Sequence, residues 1–259
     1  MDVFGFDPAS FTSFLLTLMR VSLIVFMMPF YGGNYIPNQV KGALCLVLTM
    51  AIWPNLSFPG AALPAHPFSI GIMLLAELVL GLLLGICVYF MFTAVQLGGE
   101  IMGFQMGFTM LSMADPASGA QMSVTAQILH MVTLILFLSL DGHLILLRGL
   151  ADSFAIIPPG GLRISGPLTE SVLALSGTMF SLAIRIAAPV IAAILMAELT
   201  LALMGRAAPQ MNLLTLGFPI KIGVGFFFMG ILFTTIALFL EDYIIDLRPM
   251  FARIMNMAQ

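Results

Sequence analysis

Two apolar runs, about 168–205 and 212–247, finish the chain, joined only by the short turn Arg206-Ala207-Ala208-Pro209-Gln210. A helix rises about 1.5 Å per residue, so one over 168–205 is far longer than the roughly 30 Å hydrocarbon core of a bilayer. Pro189, which has no N–H to donate, is a candidate kink in it. Earlier runs misfit in other ways: about 40–53 is short for a span, and others carry glycine or proline in mid-run. Broken helices are tolerated at membrane depth only where they are buried in protein or line a cavity. The pattern is that of a chain built to be surrounded by other subunits.

Composition sets the class. The chain has 259 residues, 61% hydrophobic and 8% charged, whereas a soluble domain carries about 25% charged residues. Such a chain cannot cover a water-facing surface, and an integral membrane protein is expected. The net charge of -3 offers no basic patch for nucleic acid. Cys45 and Cys87 lie inside apolar runs without CxxC or metal-ligand spacing, which reads as core thiols. Asp2 and Asp7 stand where a signal peptide needs positive charge, and Arg20 interrupts the run, so the first segment is expected to be retained as a helix.

The runs give an all-α expectation, with broken or kinked helices and a long C-terminal helical hairpin. The first covers about 11–30 and ends at Pro29; the second stops at Trp53-Pro54. A third, about 68–96, carries Gly81 and Gly85 as a small-xxx-small pair. A glycine- and methionine-rich helix over about 97–113 follows without a polar linker, and then a run over about 122–148. Ile157-Pro158-Pro159-Gly160-Gly161 forms a connector toward Ser165-Gly166-Pro167.

The stretch GGEIMGFQMGFTMLSMADPASGAQMS, from Gly98 to Ser123, carries the sharpest functional signal. Gly99, Gly103 and Gly107 recur every fourth residue, making one smooth helical face where another backbone can approach. Met102, Met106, Met110 and Met113 occupy an adjoining face. Long, unbranched methionines suit a deformable seal, although methionine at helical spacing also serves plain core packing. Phe104 and Phe108 add bulk, and Asp115-Pro116 with Ser118 breaks the helix. Close packing, a soft lining and a helix break at membrane depth point to a gated path.

Arg20, Glu77, Glu100, Asp141, Arg185, Glu198 and Lys221 lie in or beside apolar runs. Each is costly at the membrane centre unless paired or hydrated. Glu198 and Lys221 lie eleven residues before and twelve after Pro209. An antiparallel hairpin turning there brings them to one depth, as a buried ion pair clamping the two helices. Glu198 and Arg185 sit roughly 20 Å apart along one helix and cannot pair. His66, His130 and His143 form no HExxH or i,i+4 metal pair, and no GxSxG elbow or phosphate-binding loop is present. Neither catalysis, nor a metal, nor a cofactor is expected.

Several pieces in order resemble the FliR family of flagellar biosynthesis proteins, whose injectisome counterpart is called SctT. They are Arg20-Val21-Ser22 with Pro29 and Ile36-Pro37; Glu77 with Gly81 and Gly85; and Gly99-Glu100 through Gln105-Met106-Gly107 to Asp115-Pro116-Ala117-Ser118. Further pieces are Asp141-Gly142-His143, Asp152-Ser153-Phe154, Arg206 with Ala208-Pro209-Gln210 and Asn212, and Gly217-Phe218-Pro219-Ile220-Lys221.

The resemblance implies a core subunit of the flagellar type III protein-export gate, in the bacterial inner membrane within the flagellar basal body. It implies a P-subunit-like part over 1–165, with a plug-like loop at about 106–122, and a Q-subunit-like hairpin over 166–259. The partners it implies are FliP- and FliQ-type subunits in a helical assembly, an FlhB-type switch protein and unfolded export substrates. On that reading Met106, Phe108, Met110, Met113, Asp115, Pro116 and Ser118 form the closure, and Gly81, Gly85, Gly99, Gly103 and Gly107 pack subunits. Alternatives are a virulence-injectisome gate subunit, a scaffold that does not line the path, and a self-contained secondary transporter using Arg185, Glu198 and Lys221.

Overall fold

The computed structural model describes residues 8–32, 36–55, 67–108, 123–158, 160–163, 165–208, 210 and 213–258. The expected closure residues Met110, Met113, Asp115, Pro116 and Ser118 lie outside them. Among the described residues the protein is all-α: seven helices, a single helical turn at Pro29–Gly32 and a 3₁₀ turn at Trp53–Asn55. The helices are α1 (Pro8–Met27), α2 (Asn38–Ile52), α3 (Pro67–Met106), α4 (Val124–Ser139), α5 (Gly142–Ile156), α6 (Gly166–Ala207) and α7 (Leu213–Met257). Four of them, α1, α3, α6 and α7, are long and apolar enough to cross a membrane.

Three boundaries differ from the expected ones. The third run and the Gly/Met helix are one helix, α3, because nothing between residues 96 and 97 breaks the backbone pattern. The 122–148 run is two helices bent by 65°. The bend falls at Leu140-Asp141, where Asp141 adopts φ 56°, a left-handed conformation that ends regular helix. Finally, α7 runs to Met257, beyond the apolar stretch, by becoming amphipathic: Leu247, Phe251, Ile254 and Met255 are buried while Arg248 and Arg253 are exposed.

The chain forms two compact units. The first comprises residues 1–90, 141–175 and 244–259. Its core includes Leu16, Val21 and Ile24 of α1, Leu80 and Leu84 of α3, Leu146 and Leu150 of α5, and Leu247 and Phe251 of α7. Trp53 donates its indole N–H to Ser13 Oγ (3.0 Å) and meets Phe14 edge-on, which docks the end of α2 on α1. Arg163 N donates to Ala258 O (2.8 Å), and Ser165 Oγ to Met257 O (2.8 Å), tying the connector before α6 to the end of α7.

The second unit comprises residues 91–140 and 176–243. Its core is built from Met91, Phe92, Val95, Met102 and Met106 of α3, Leu129 and Phe137 of α4, Ala183, Ala187, Val190 and Ile194 of α6, and Met229, Ile236 and Leu240 of α7. The opposite faces of α6 and α7 leave Phe180, Ile184, Leu199, Phe227, Ile231 and Leu238 exposed. Apolar faces of that kind rest against lipid or against other protein.

Candidate functional site

In the first unit, Glu77, Gly81 and Gly85 recur every fourth residue on α3 and form one face. A side chain on Gly81 would meet Arg20 O and Leu23 Cβ at 2.9 Å, and one on Gly85 would meet Met27 Cβ at 2.7 Å. The stripe therefore seats α1 closely enough for Arg20 to reach Glu77. Arg20 Nε donates to Glu77 Oε2 (2.5 Å), and Nη2 to Glu77 Oε1 (3.0 Å). Both side chains are 0% exposed.

The rest of the guanidinium is also satisfied. Nη1 donates to Ser153 Oγ (3.1 Å) and to Ile157 O (3.2 Å), and Nη2 donates to Ile157 O (3.1 Å). All five guanidinium N–H groups thus have a partner. The plane lies over the Phe154 ring, 4.1 Å from its centroid. Glu77 Oε1 accepts a further bond from Gly160 N (3.0 Å). This bidentate pair has the geometry in which a buried charge pair is tolerated, with the remaining polar atoms satisfied. It fixes α1, α3, α5 and the 157–160 connector to one another.

Sequence reasoning flagged Arg20 and Glu77 as costly charges but did not pair them, and it assigned Ser153 and Phe154 no role. The available signal was register: Glu77, Gly81 and Gly85 on one helix match Arg20, Leu23 and Met27 on the other.

In the second unit the glycine ladder of α3 receives the start of α4. A side chain on Gly99 would lie 2.5 Å from Ala126 Cα, and one on Gly103 would lie 2.5 Å from Thr125 Oγ1. Thr125 Oγ1 donates to Gly99 O (2.7 Å), Ser123 N donates to Glu100 Oε1 (3.0 Å), and Ser123 Oγ caps α4 by accepting from Ala126 N (3.2 Å). Gly107 ends α3 with φ +92°, a conformation open to glycine, and a side chain there would meet the Phe218 ring at 2.8 Å. The Phe108 ring meets that of Phe226 edge-on, centroids 6.0 Å apart.

Within this chain each of the flagged glycines is a point of close approach. Gly81, Gly85, Gly99, Gly103 and Gly107 each meet a neighbouring helix or side chain within its own unit. Met102 and Met106 are fully buried, with Met106 packed where α7 passes at Gly225. The described half of the methionine stripe is thus buried within the chain. Phe104 is exposed and Phe108 half-buried.

Glu198 and Lys221 form an ion pair between α6 and α7. Their side chains are 34% and 25% exposed, so the pair is half-buried rather than buried. A half-exposed pair contributes at most about 1 kcal/mol. Glu198→Lys is expected to lower the melting temperature slightly and Lys221→Glu to restore it; a double reversal no better than either single one counts against the pairing. Arg185 is exposed and joins no ion pair among the described residues.

These features define an all-α, membrane-embedded protein whose helices close on glycine faces and around one fully satisfied buried ion pair. Its sequence relationships narrow that class. The chain belongs to the bacterial export proteins, family 1, whose family model matches residues 11–247, the family of the flagellar FliR proteins. It is 33% identical over 239 residues to the flagellar biosynthetic protein FliR of Escherichia coli (strain K12), covering 92% of this chain and 91% of that protein. FliR of Bacillus subtilis (strain 168) is 31% identical over 225 residues, covering 83% and 84%. The surface presentation of antigens protein SpaR of Salmonella typhimurium is 27% identical over 220 residues, covering 84% and 81%. Three of the pieces that carried the resemblance, around Arg20, Glu77 and Asp152-Ser153-Phe154, meet in the buried node of the first unit.

Proposed function

We propose that the chain is a core subunit of the flagellar type III export gate and helps form a gated conduit for unfolded flagellar proteins across the inner membrane. The observation that carries this reading is membership in the export family across residues 11–247. The flagellar assignment is favoured over the injectisome one by 33% identity to FliR against 27% to SpaR. On this reading the chain works in the flagellar basal body with FliP-, FliQ- and FlhB-type partners. Its 1–165 part is P-like and its 166–259 part Q-like, a division carried by the resemblance; each compact unit takes segments from both sides of it.

The closure is assigned to the 106–122 stretch. In support, the described residues on either side of 109–122 belong to one unit and are held there. Gly107 and Phe108 rest on Phe218 and Phe226, and Ser123 is bound to Glu100. Met106 and Phe108 lead into the closure from its fixed end; Met110 and Met113 contribute apolar bulk; Asp115, Pro116 and Ser118 shape the turn that moves when substrate passes.

The test is Gly107→Leu beside deletion of 110–118, each read by secretion of flagellar protein and by ion leakage across the membrane. The expected result is blocked export or a leaky membrane in both. Normal secretion with normal ion tightness in both overturns the closure assignment. Native mass spectrometry of a tagged copy checks the assembly: one copy with several P- and Q-type chains is expected, and a stable monomer or homodimer contradicts it.

A further inference from the structure

Two carboxylates stand on α3, an otherwise uncharged helix, and they are held very differently. Glu77 takes three N–H donors, two of them from Arg20, and is 0% exposed. Glu100 is half-buried, joins no ion pair among the described residues, and accepts one bond there, from Ser123 N. Ser123 is the N-cap of α4, so the carboxylate sits at the positive end of that helix. The chain leaves α3 at Gly107, and Ser123, sixteen positions on, lies beside Gly103, one helical turn before the exit. A side chain on Gly103 would lie 2.8 Å from Ser123 Cβ. Two residues further on, α4 is seated in another way. Thr125 is fully buried with its hydroxyl on Gly99 O (2.7 Å), and Ala126 leaves no room for a side chain on Gly99.

Parting a fully buried, multiply bonded pair strands a charge, so the Glu77 node is a permanent lock. A carboxylate held by one charge-assisted bond at a half-exposed place is a different device. The bond is stronger than a neutral one, yet water can take over both of its ends when it opens. We propose that Glu100 is a positioning residue: a clasp that sets the returning end of the 109–122 stretch through Ser123, and releases it without unseating α4. On the closure reading above, on which this rests, Glu100 decides whether that end of the closure is fixed or free. Release moves the fixed end from Ser123 to Thr125, because the Thr125–Gly99 bond and the Ala126–Gly99 contact do not involve the carboxylate.

The test follows three variants of the full-length chain in its native membrane. Hydrogen exchange of the amides from Ser123 to Leu129 reads the clasp; ion leakage and secretion read its consequence. Glu100→Ala is expected to speed exchange at Ser123 about tenfold or more, leaving Leu129 unchanged. It is also expected to raise ion leakage severalfold while secretion continues. Glu100→Asp keeps the charge but stops one carbon short, and is expected to behave as Glu100→Ala. Glu100→Gln keeps an oxygen within reach of Ser123 N without the charge, and is expected to fall between Glu100→Ala and the unaltered chain. The opposite order, with Asp tighter than Gln, overturns the clasp, and so does a lower melting temperature without any order in leakage. Unchanged exchange at Ser123 in Glu100→Ala overturns it too. Leakage from deletion of 110–118 but not from Glu100→Ala overturns the clasp alone. Tight membranes from both overturn the closure reading, and the clasp with it.

Discussion

Arg20→Ala is expected to produce a large loss of stability, read as a lower melting temperature of the detergent-extracted chain and as proteolysis of the α1–α3 region. The substitution leaves the Glu77 carboxylate at 0% exposure with one remaining bond, from Gly160 N. Breaking a buried pair from one side costs about 3–5 kcal/mol, against a total folding stability of about 5–15 kcal/mol. Each kcal/mol corresponds to about 2–4 °C for a chain of this size. Glu77→Ala is expected to be comparably damaging, since it strands the guanidinium. Arg20→Lys keeps the charge but loses the planar fork that spans Glu77, Ser153 and Ile157 together, and falls between.

The double change Arg20→Leu with Glu77→Leu separates charge from hydrogen bonding. If the node were a charge pair alone, two apolar residues of similar volume would recover most of the loss. Here they also remove the partners of Gly160 N and Ile157 O, and each unsatisfied buried polar group costs about 1–3 kcal/mol. Incomplete recovery is the expected outcome. A melting temperature for Arg20→Ala indistinguishable from that of the unaltered chain refutes the node as a determinant of stability.

The second large effect is expected at Gly99. Its added Cβ would lie 2.5 Å from Ala126 Cα and 3.0 Å from Ala126 N, which are backbone atoms unable to rotate aside. Gly99→Val therefore forces α4 away from α3, stretching the Thr125–Gly99 and Ser123–Glu100 bonds as it does so. Overpacking of this kind costs about 1–3 kcal/mol, occasionally more, and the two hydrogen bonds add to it. Gly177→Ala is the matched control on a helix with open space: about 0.5–1 kcal/mol of gain is expected from helix propensity alone. Parallel melts of the two variants check the contrast. A Gly99→Val protein as stable as Gly177→Ala disproves the close α3–α4 contact.

Both effects show where local reading stops. The Glu198–Lys221 pairing was legible because it depends on a single turn: two residues at nearly equal distance from Pro209 in a hairpin. Arg20 and Glu77 are 57 positions apart with α2 between them, and their other partners come from α5 and its connector. No count along the chain brings those together. The glycines show the same division. Their four-residue spacing announced smooth helical faces, but what lies on a smooth face is decided by whichever element packs there, and it proved to be this chain's own α1, α4 and Phe218. Helix ends were misread where composition and backbone disagree: α7 continues past the last apolar run because polar side chains on an exposed face do not interrupt its hydrogen bonds.

Composition and run length alone determined that the chain is helical and membrane-embedded, because a backbone among apolar surroundings must satisfy its own polar groups and a helix does so locally. The order of its short motifs likewise determined the family. Only the tertiary structure decided which charge meets which, and that three distant motifs form one node. Those outcomes depend on long-range packing geometry, where a single missing Cβ at Gly81 sets whether Arg20 can reach Glu77.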